Sequence, residues 1–185
     1  MLVGYRDADG LDLFGPAEVF AEAIRQLKSP VYEIVMSTVG GGAMSTDPCS
    51  PLRPDQPGNA FKMEFAPEPG ERVIQKRVHS CFIGTPLEEE LRAAGHRTLV
   101  IVGLTTNHCI STSARMAANL GFDTWVVSDA TATFDRVGPD GIRYPAELVH
   151  AIALSDLQGE FATVVDTESV LSFVESPLPY STVRR

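Results

Sequence analysis

The stretch TLVIVGLTTNHCISTSARMAANLGFDTWVVSD, residues 98–129, decides the fold class of this chain. Its apolar runs TLVIVG and DTWVVSD are typical of strands buried on both faces, and ISTSARMAANLG between them predicts a helix. The same alternation continues outward, with strands predicted at 72–76 and 161–166 and helices at 85–95 and 145–158. Alternating strands and helices predict an α/β fold, a three-layer α/β/α sandwich with a mainly parallel central sheet.

The N-terminal part predicts one further strand-helix-strand unit and a long loop. The strands are LVGY, residues 2–5, and VYEIVMS, residues 31–37, and the helix PAEVFAEAIRQLK spans 16–28. Residues 39–70 are rich in Gly and Pro, which is typical of a functional loop, a lid or an interface arm. We expect residues 1–185 to form a single domain, with 175–185 as a tail.

The charge balance limits the classes of partner. The chain has 15 Lys and Arg against 24 Asp and Glu, a formal net charge of -9. Nucleic-acid binding gains affinity from a basic surface that displaces counterions, so this balance argues against a nucleic-acid partner. No apolar run reaches the roughly 18 to 20 residues that span a bilayer, and MLVGYRDADG turns acidic too early for a signal peptide. We expect a cytoplasmic protein that binds no membrane.

Cysteines and histidines provide no recognisable metal motif. The three cysteines are widely spaced and odd in number, which argues against a disulfide framework or a zinc site: Cys49, Cys81 and Cys109. The four histidines show no HxxxH or HxH spacing: His79, His96, His108 and His150. We therefore expect neither a metal nor another cofactor.

Cys109 follows the carboxyl end of a predicted strand and begins the next helix. The first N–H groups of a helix have no partner within it and the helix dipole is positive there, so a thiolate would be stabilised. The alternative is that Cys109 is a small buried apolar residue, as free cysteines often are. The turn GLTTNHC favours the first reading, because Gly103 and two threonines suit a backbone bent to present N–H groups.

The segments VIQKRVHSCFIGTPLEEELRAAG, residues 73–95, and VIVGLTTNHCISTSARMAANLGFDTWVVSDATATF, residues 100–134, resemble the isochorismatase-like cysteine hydrolase family. The resemblance extends from about residue 45 to residue 171. It implies a Rossmann-like sandwich with Cys109 as the nucleophile and Lys76 as the catalytic lysine. It also implies a cis peptide between Leu104 and Thr105, and an oxyanion hole formed by the backbone N–H groups of Thr105 and Cys109.

The same resemblance assigns substrate contacts to residues around the nucleophile. Thr105, Thr106 and Phe82 are expected to border the substrate, and plain core packing is the alternative for Phe82. For His108 we expect a surface or subunit-contact role, since neighbouring residues point in different directions. We expect Asp129, which ends a strand, to bond loop backbone.

The acidic member of the expected catalytic triad lies near the N-terminus. The stretch MLVGYRDADGLDLFGPAEVF departs from the family pattern, and residues 1–45 look more like the intracellular-protease and amidotransferase-like family. A natural fusion, an engineered chimera and divergence all remain open. We predict Asp7 as the base because a carboxylate at a strand end can reach the sulfur, with Asp12 as the reserve and Asp9 the weakest candidate.

Together these features predict a cysteine hydrolase that cleaves a C–N bond of a small amide, carbamoyl or imide-like substrate through a thioester. One alternative is a Cys and acid enzyme acting on reactive carbonyls or isonitriles, and another is a catalytically impaired scaffold or binding protein. Nicotinamidase-like members of the family carry a histidine-containing metal site between the second and third strands. No histidine occurs within residues 1–78, so we expect no metal site of that kind and favour nicotinamide less as a substrate. The resemblance further implies a homo-oligomer, a dimer or tetramer.

Overall fold

A computed structural model of the chain describes residues 35–39 and 72–175. These residues form seven strands, four α-helices and one π-helical turn. The strands are β1 (Val35–Val39), β2 (Arg72–Lys76), β3 (Thr98–Leu104), β4 (Asp123–Ala132), β5 (Arg136–Val137), β6 (Arg143–Tyr144) and β7 (Thr163–Val165). The helices are α1 (Leu87–Ala93), α2 (Ser111–Asn119), α3 (Ala146–Ser155) and α4 (Thr167–Glu175), and the π turn (Thr106–Ile110) precedes α2.

The longer strands pair in parallel, as the alternation of strands and helices predicts. β1 lies parallel to β2, and β3, β4 and β7 form a parallel sheet in that order. Parallel neighbours need a crossover connection, and α2 supplies it between β3 and β4. The α/β fold class is therefore confirmed. The carboxyl ends of parallel strands meet at one edge of a sheet, which is where such folds place their sites.

Helices cover both faces of the β3–β4–β7 sheet. Side chains of successive strand residues point to opposite faces, and the buried residues accordingly fall into two clusters. Ile101 and Val126 pack in one cluster, with residues of α1 and α2. Val102 and Val127 pack in the other, with Val170 of α4. This arrangement is the three-layer sandwich.

Small residues bring α2 close to the sheet, and a glycine ends the helix. Ala114 and Ala117 of α2 are completely buried. Gly121 follows the helix with φ of 84°, a left-handed conformation that glycine adopts without steric cost. The N–H of Gly121 donates to Ala118 O and the N–H of Phe122 to Ala117 O, the two bonds of a Schellman motif. This cap directs the buried Phe122 into the core and the chain into β4.

Some predicted elements differ from those observed, and others lie outside the described residues. The strand predicted at 31–37 corresponds to β1, whose observed bounds are Val35–Val39. Two elements were not predicted: the short antiparallel hairpin of β5 and β6, and helix α4. The described residues do not include the strand predicted at 2–5, the helix predicted at 16–28 or, from the tail predicted at 175–185, any residue after Glu175.

No helix in the described part of the chain has the length and apolar composition needed to cross a bilayer.

Candidate active site

Lys76 and Cys109 meet at the carboxyl edge of the strands. Lys76 is the last residue of β2 and its side chain is 0% exposed, while Cys109 lies in the π turn after β3 and is 6% exposed. The distance from Lys76 Nζ to Cys109 Sγ is 3.3 Å. The same ammonium donates to the carbonyl oxygens of Val78 at 3.0 Å and His79 at 2.8 Å. Two residues that are 33 positions apart in sequence are thus brought into direct contact.

The local backbone at Cys109 is a π turn rather than the first turn of a regular α-helix. Helix α2 begins at Ser111, so the sequence-based prediction of a helix starting at the cysteine needs this correction. The N–H groups of His108 and Ile110 both donate to the carbonyl of Thr105, at 3.0 Å and 3.2 Å. Such π turns are frequent at functional sites.

The π turn leaves backbone donors available beside the sulfur. Leu104 and Thr105 are joined by a cis peptide, which confirms this expectation from the resemblance. Among residues 35–39 and 72–175, no acceptor outside the turn takes the backbone N–H of Thr105 or that of Cys109. Two donors without such partners can stabilise an oxyanion that forms next to Sγ.

Side chains from α3 and from the segment after β4 hold the π turn in place. Thr106 is completely buried, and its Oγ1 lies 2.8 Å from Nδ1 of His150, which belongs to α3. Thr133 donates to the side-chain oxygen of Asn107 at 2.7 Å. Burial lowers the pKa of His150, so the neutral imidazole is the form that bonds Thr106 near pH 7. In the structure Thr106 therefore bonds a helix, and its contact with substrate stays a prediction.

His79 lies in the site although no motif in the sequence assigns it a role there. Its Nδ1 lies 3.5 Å from Cys109 Sγ, and its ring stands 5.5 Å, centroid to centroid, from the half-buried ring of His108. Burial and then the Lys76 ammonium lower the pKa of His79 below its ordinary value. The signal was its position three residues after a strand-end lysine, where the chain turns back over the site.

The second described cysteine has a different environment. Cys81 is buried, its N–H donates to Oγ of Ser113 at 3.2 Å, and burial raises the pKa of its thiol. Neither Lys76 nor a histidine bonds its sulfur among the described contacts. Cys81 therefore provides an internal comparison for the reactivity of Cys109.

The other residues that the sequence predicts for the site contact the core or the backbone, or lie outside the described residues. Phe82 is half-buried and stacks on Phe122, with ring centroids 5.9 Å apart, so its described contact is with the core; its place beside substrate stays a prediction. Asp129 accepts from both the N–H and Oγ1 of Thr167 at 2.9 Å, which confirms the expectation that it bonds backbone. Asp7, Asp9 and Asp12 lie outside the described residues.

A separate depression of about 310 Å³ lies beside the π turn and the start of α2. Asn107 and Ser111 line it together with Arg136, Tyr144 and apolar residues of α3, whereas Lys76 and Cys109 do not. From the segment 134–147, Arg136 and Tyr144 border this depression. Within the described ranges, no group of three or more potential metal ligands occurs.

Comparison with known proteins agrees with this geometry. The family model described as the isochorismatase domain matches residues 4–169. The chain belongs to the isochorismatase family. This family match includes most of the first 45 residues, so the second resemblance, to the intracellular-protease and amidotransferase-like family, is not supported.

Several members of the isochorismatase family are similar over most of the chain. YrdC of Bacillus subtilis, an isochorismatase family protein, is 44% identical over 128 residues, which cover 69% of this chain and 68% of YrdC. A solved isochorismatase-family structure from Chromobacterium violaceum has a TM-score of 0.76 and 35% identity, covering 94% of this chain and 85% of the other. The ureidoacrylate amidohydrolase RutB of Methylobacterium radiotolerans is 33% identical over 113 residues, covering 61% of this chain and 40% of RutB.

Proposed function

We propose that this isochorismatase-family protein is a cysteine hydrolase that cleaves the C–N bond of a small amide, carbamoyl or imide-like molecule. The observation that carries the proposal is the 3.3 Å contact between the buried ammonium of Lys76 and the sulfur of Cys109. Similarity to RutB, named as an amidohydrolase, supports a C–N bond as the one cleaved.

The buried Lys76 favours a negatively charged sulfur. A buried ammonium is costly unless its charge is compensated. Its neighbours in the described part of the chain are two carbonyl oxygens, which offer only dipoles, and the sulfur of Cys109. A thiolate at this position compensates the charge, and the thiolate is the nucleophilic form of cysteine.

The proposed reaction uses these groups in two halves. The sulfur of Cys109 attacks the carbonyl carbon, and the C=O electrons move onto the oxygen. The N–H groups of Thr105 and Cys109 can donate hydrogen bonds to the oxyanion that forms. The C–N bond then breaks, the nitrogen leaves with a proton as ammonia or an amine, and a thioester remains. Water attacks the thioester, which releases the acid and restores Cys109. Asp7 is the predicted base: its carboxylate takes the thiol proton of Cys109 and passes it to the departing nitrogen, then takes a proton from the attacking water and returns it to the sulfur.

A screen of small amides, carbamoyl compounds and imides with ammonia detection tests this proposal. We expect turnover of at least one compound, loss of turnover in Cys109→Ala, and an acyl adduct on Cys109 in intact-mass measurements under rapid quench. Cys81→Ala is the matched control and should retain activity, because in the described part of the chain no hydrogen bond joins this sulfur to Lys76 or to a histidine. Full activity of Cys109→Ala would refute the proposed nucleophile.

A further inference from the structure

The hydroxyl of Thr106 joins the turn that carries the nucleophile to helix α3. Thr106 is the first residue of the π turn and is completely buried, and its Oγ1 lies 2.8 Å from Nδ1 of His150. It directly follows Thr105, whose N–H is one of the two proposed oxyanion donors. The bond therefore connects the neighbour of an oxyanion donor to a helix residue 44 positions farther along the chain.

The second nitrogen of His150 fixes the direction of this bond. Burial lowers the pKa of His150, and a hydrogen bond with the backbone of Ser128 acts against this lowering. A hydrogen bond raises the pKa of an imidazole when the ring donates it, because donation favours the protonated form. Since Nδ1 lies beside Thr106, the donating nitrogen is Nε2, and Nδ1 of the neutral ring has a lone pair. Thr106 therefore donates to His150, and His150 in turn bonds β4.

The sulfur of Cys109 is held by a different part of the fold. Lys76, at the end of β2, contacts it at 3.3 Å and stabilises the thiolate without any bond to α3 among the described contacts. The oxyanion donors are instead backbone N–H groups of Thr105 and Cys109, whose directions depend on how the π turn is seated. Donors of an oxyanion hole lie about 2.7 to 3.1 Å from the developing charge, so a small rotation of the turn weakens them.

We propose that His150 is a positioning residue for the oxyanion hole. By accepting the hydroxyl hydrogen of Thr106, it seats the π turn so that the N–H groups of Thr105 and Cys109 converge on one oxygen. His150 acts through Thr106 and does not touch the reacting atoms. This inference rests on the proposed function, since the oxyanion forms only when the sulfur attacks a carbonyl.

The proposal separates two reactions of the same sulfur. Hydrolysis of an amide forms an oxyanion and needs the hole, whereas alkylation by iodoacetamide displaces iodide at a saturated carbon and forms none. Loss of the Thr106–His150 bond should therefore slow hydrolysis and leave alkylation of Cys109 nearly unchanged. A general loss of packing around the site would slow both reactions.

Two substitutions of His150 distinguish its two nitrogens. In His150→Asn the side-chain amide lies near the position of Nδ1 and can still accept from Thr106, whereas in His150→Gln it reaches toward the position of Nε2. Misplacing a catalytic group by about 1 Å can cost about 100-fold. We expect kcat of His150→Gln for the amide found in the screen to fall about 10- to 100-fold, with KM changed less than about threefold. His150→Asn should keep most of kcat, and both variants should alkylate at Cys109 within about twofold of the wild-type rate at pH 7.

Thr106 provides the same test from the other side of the bond. Thr106→Val keeps the shape and removes the hydroxyl, so kcat should fall as in His150→Gln, and the double variant should lose little more because both changes remove one contact. Thr106→Ser keeps the hydroxyl and should restore most of kcat. Thr124→Val is the matched control: this threonine is 3% exposed, lies near the start of β4 and donates to the carbonyl of Phe122 at 3.2 Å, so its loss should leave kcat unchanged.

Three results would overturn the inference. The first is a wild-type kcat in folded His150→Gln and Thr106→Val, and the second is alkylation of Cys109 that slows as much as hydrolysis. The third is a rise in KM with kcat unchanged, which would place the Thr106 hydroxyl against substrate instead. If His150→Gln fails to fold, the comparison of Thr106→Val with Thr106→Ser still decides. Active Cys109→Ala would instead refute the proposed function, and that result is distinct from all three.

Discussion

Replacing Lys76 with methionine tests how much the buried ammonium activates the sulfur. Methionine has a similar length and remains apolar, so it fills the same space without the charge. The change removes the donor to Cys109 Sγ and to two backbone carbonyls at once. The thiolate loses its cation, and we expect Cys109 to react far more slowly at neutral pH.

The magnitude follows from the 3.3 Å separation of Nζ and Sγ. At an effective dielectric constant of about 20, two unit charges at that distance attract by about 5 kcal/mol. Desolvation of the fully buried ammonium offsets part of this energy. If about 3 to 4 kcal/mol remains, alkylation of Cys109 at pH 7 slows by about 100- to 1,000-fold, since 1.36 kcal/mol is a factor of ten.

The assay is alkylation by iodoacetamide, followed peptide by peptide in a mass spectrometer so that Cys109 and Cys81 are read separately. Arg77→Met is the matched control, because it removes one positive charge from the next residue, whose side chain is exposed. Circular dichroism establishes that each variant is folded. An unchanged rate at Cys109 in folded Lys76→Met would show that the ammonium does not activate the sulfur.

Three further outcomes are expected. Asp129→Ala removes both bonds to Thr167 at the start of α4 and should lower the free energy of unfolding by about 1 to 2 kcal/mol in urea denaturation. Ile110→Ala empties a 0% exposed core position and should cost about 2 to 5 kcal/mol, whereas Ile142→Ala, at 55% exposure, should change stability by less than about 0.5 kcal/mol. Burial lowers the pKa values of three half-buried histidines: His79, His108 and His150. Below pH 6.5 the unfolded chain therefore binds protons that the folded chain does not, and the free energy of unfolding should fall from pH 6.5 toward pH 5. A constant free energy over this range would contradict the prediction.

The strands and helices near the site could be predicted because their apolar patterns have a single interpretation. RVIQK coincides with β2, and TLVIVG differs from β3 by one residue. Helix α4 was missed although it has a local cap, since Oδ1 of Asp166 accepts from the N–H of Ser169 at 2.8 Å. Asp129 adds a second anchor at Thr167 from 38 residues earlier, and no local pattern displays that distant bond. The β5–β6 hairpin was missed because its two-residue strands are too short for a period to emerge.

The candidate site could be predicted only where one motif carried the information. The turn GLTTNHC pointed to Cys109, and the family resemblance pointed to Lys76. His79 was missed because proximity to the sulfur depends on how the segment after β2 folds back, which places Nδ1 beside a residue 30 positions away. The π turn was also missed, since its distinguishing bond from Ile110 to Thr105 differs from α-helical bonding by one residue.

The pattern of hydrogen bonds around Cys109 limits what the site can receive. Lys76 uses all three donors, and Thr106 and Asn107 are bonded to α3 and to Thr133. Among the described residues, the backbone N–H donors of Thr105 and Cys109 have no acceptor outside the turn. A sulfur nucleophile beside these two donors suits a carbonyl whose oxygen gains negative charge. A substrate that must donate hydrogen bonds here would have to find its acceptors on His79 or on residues farther away.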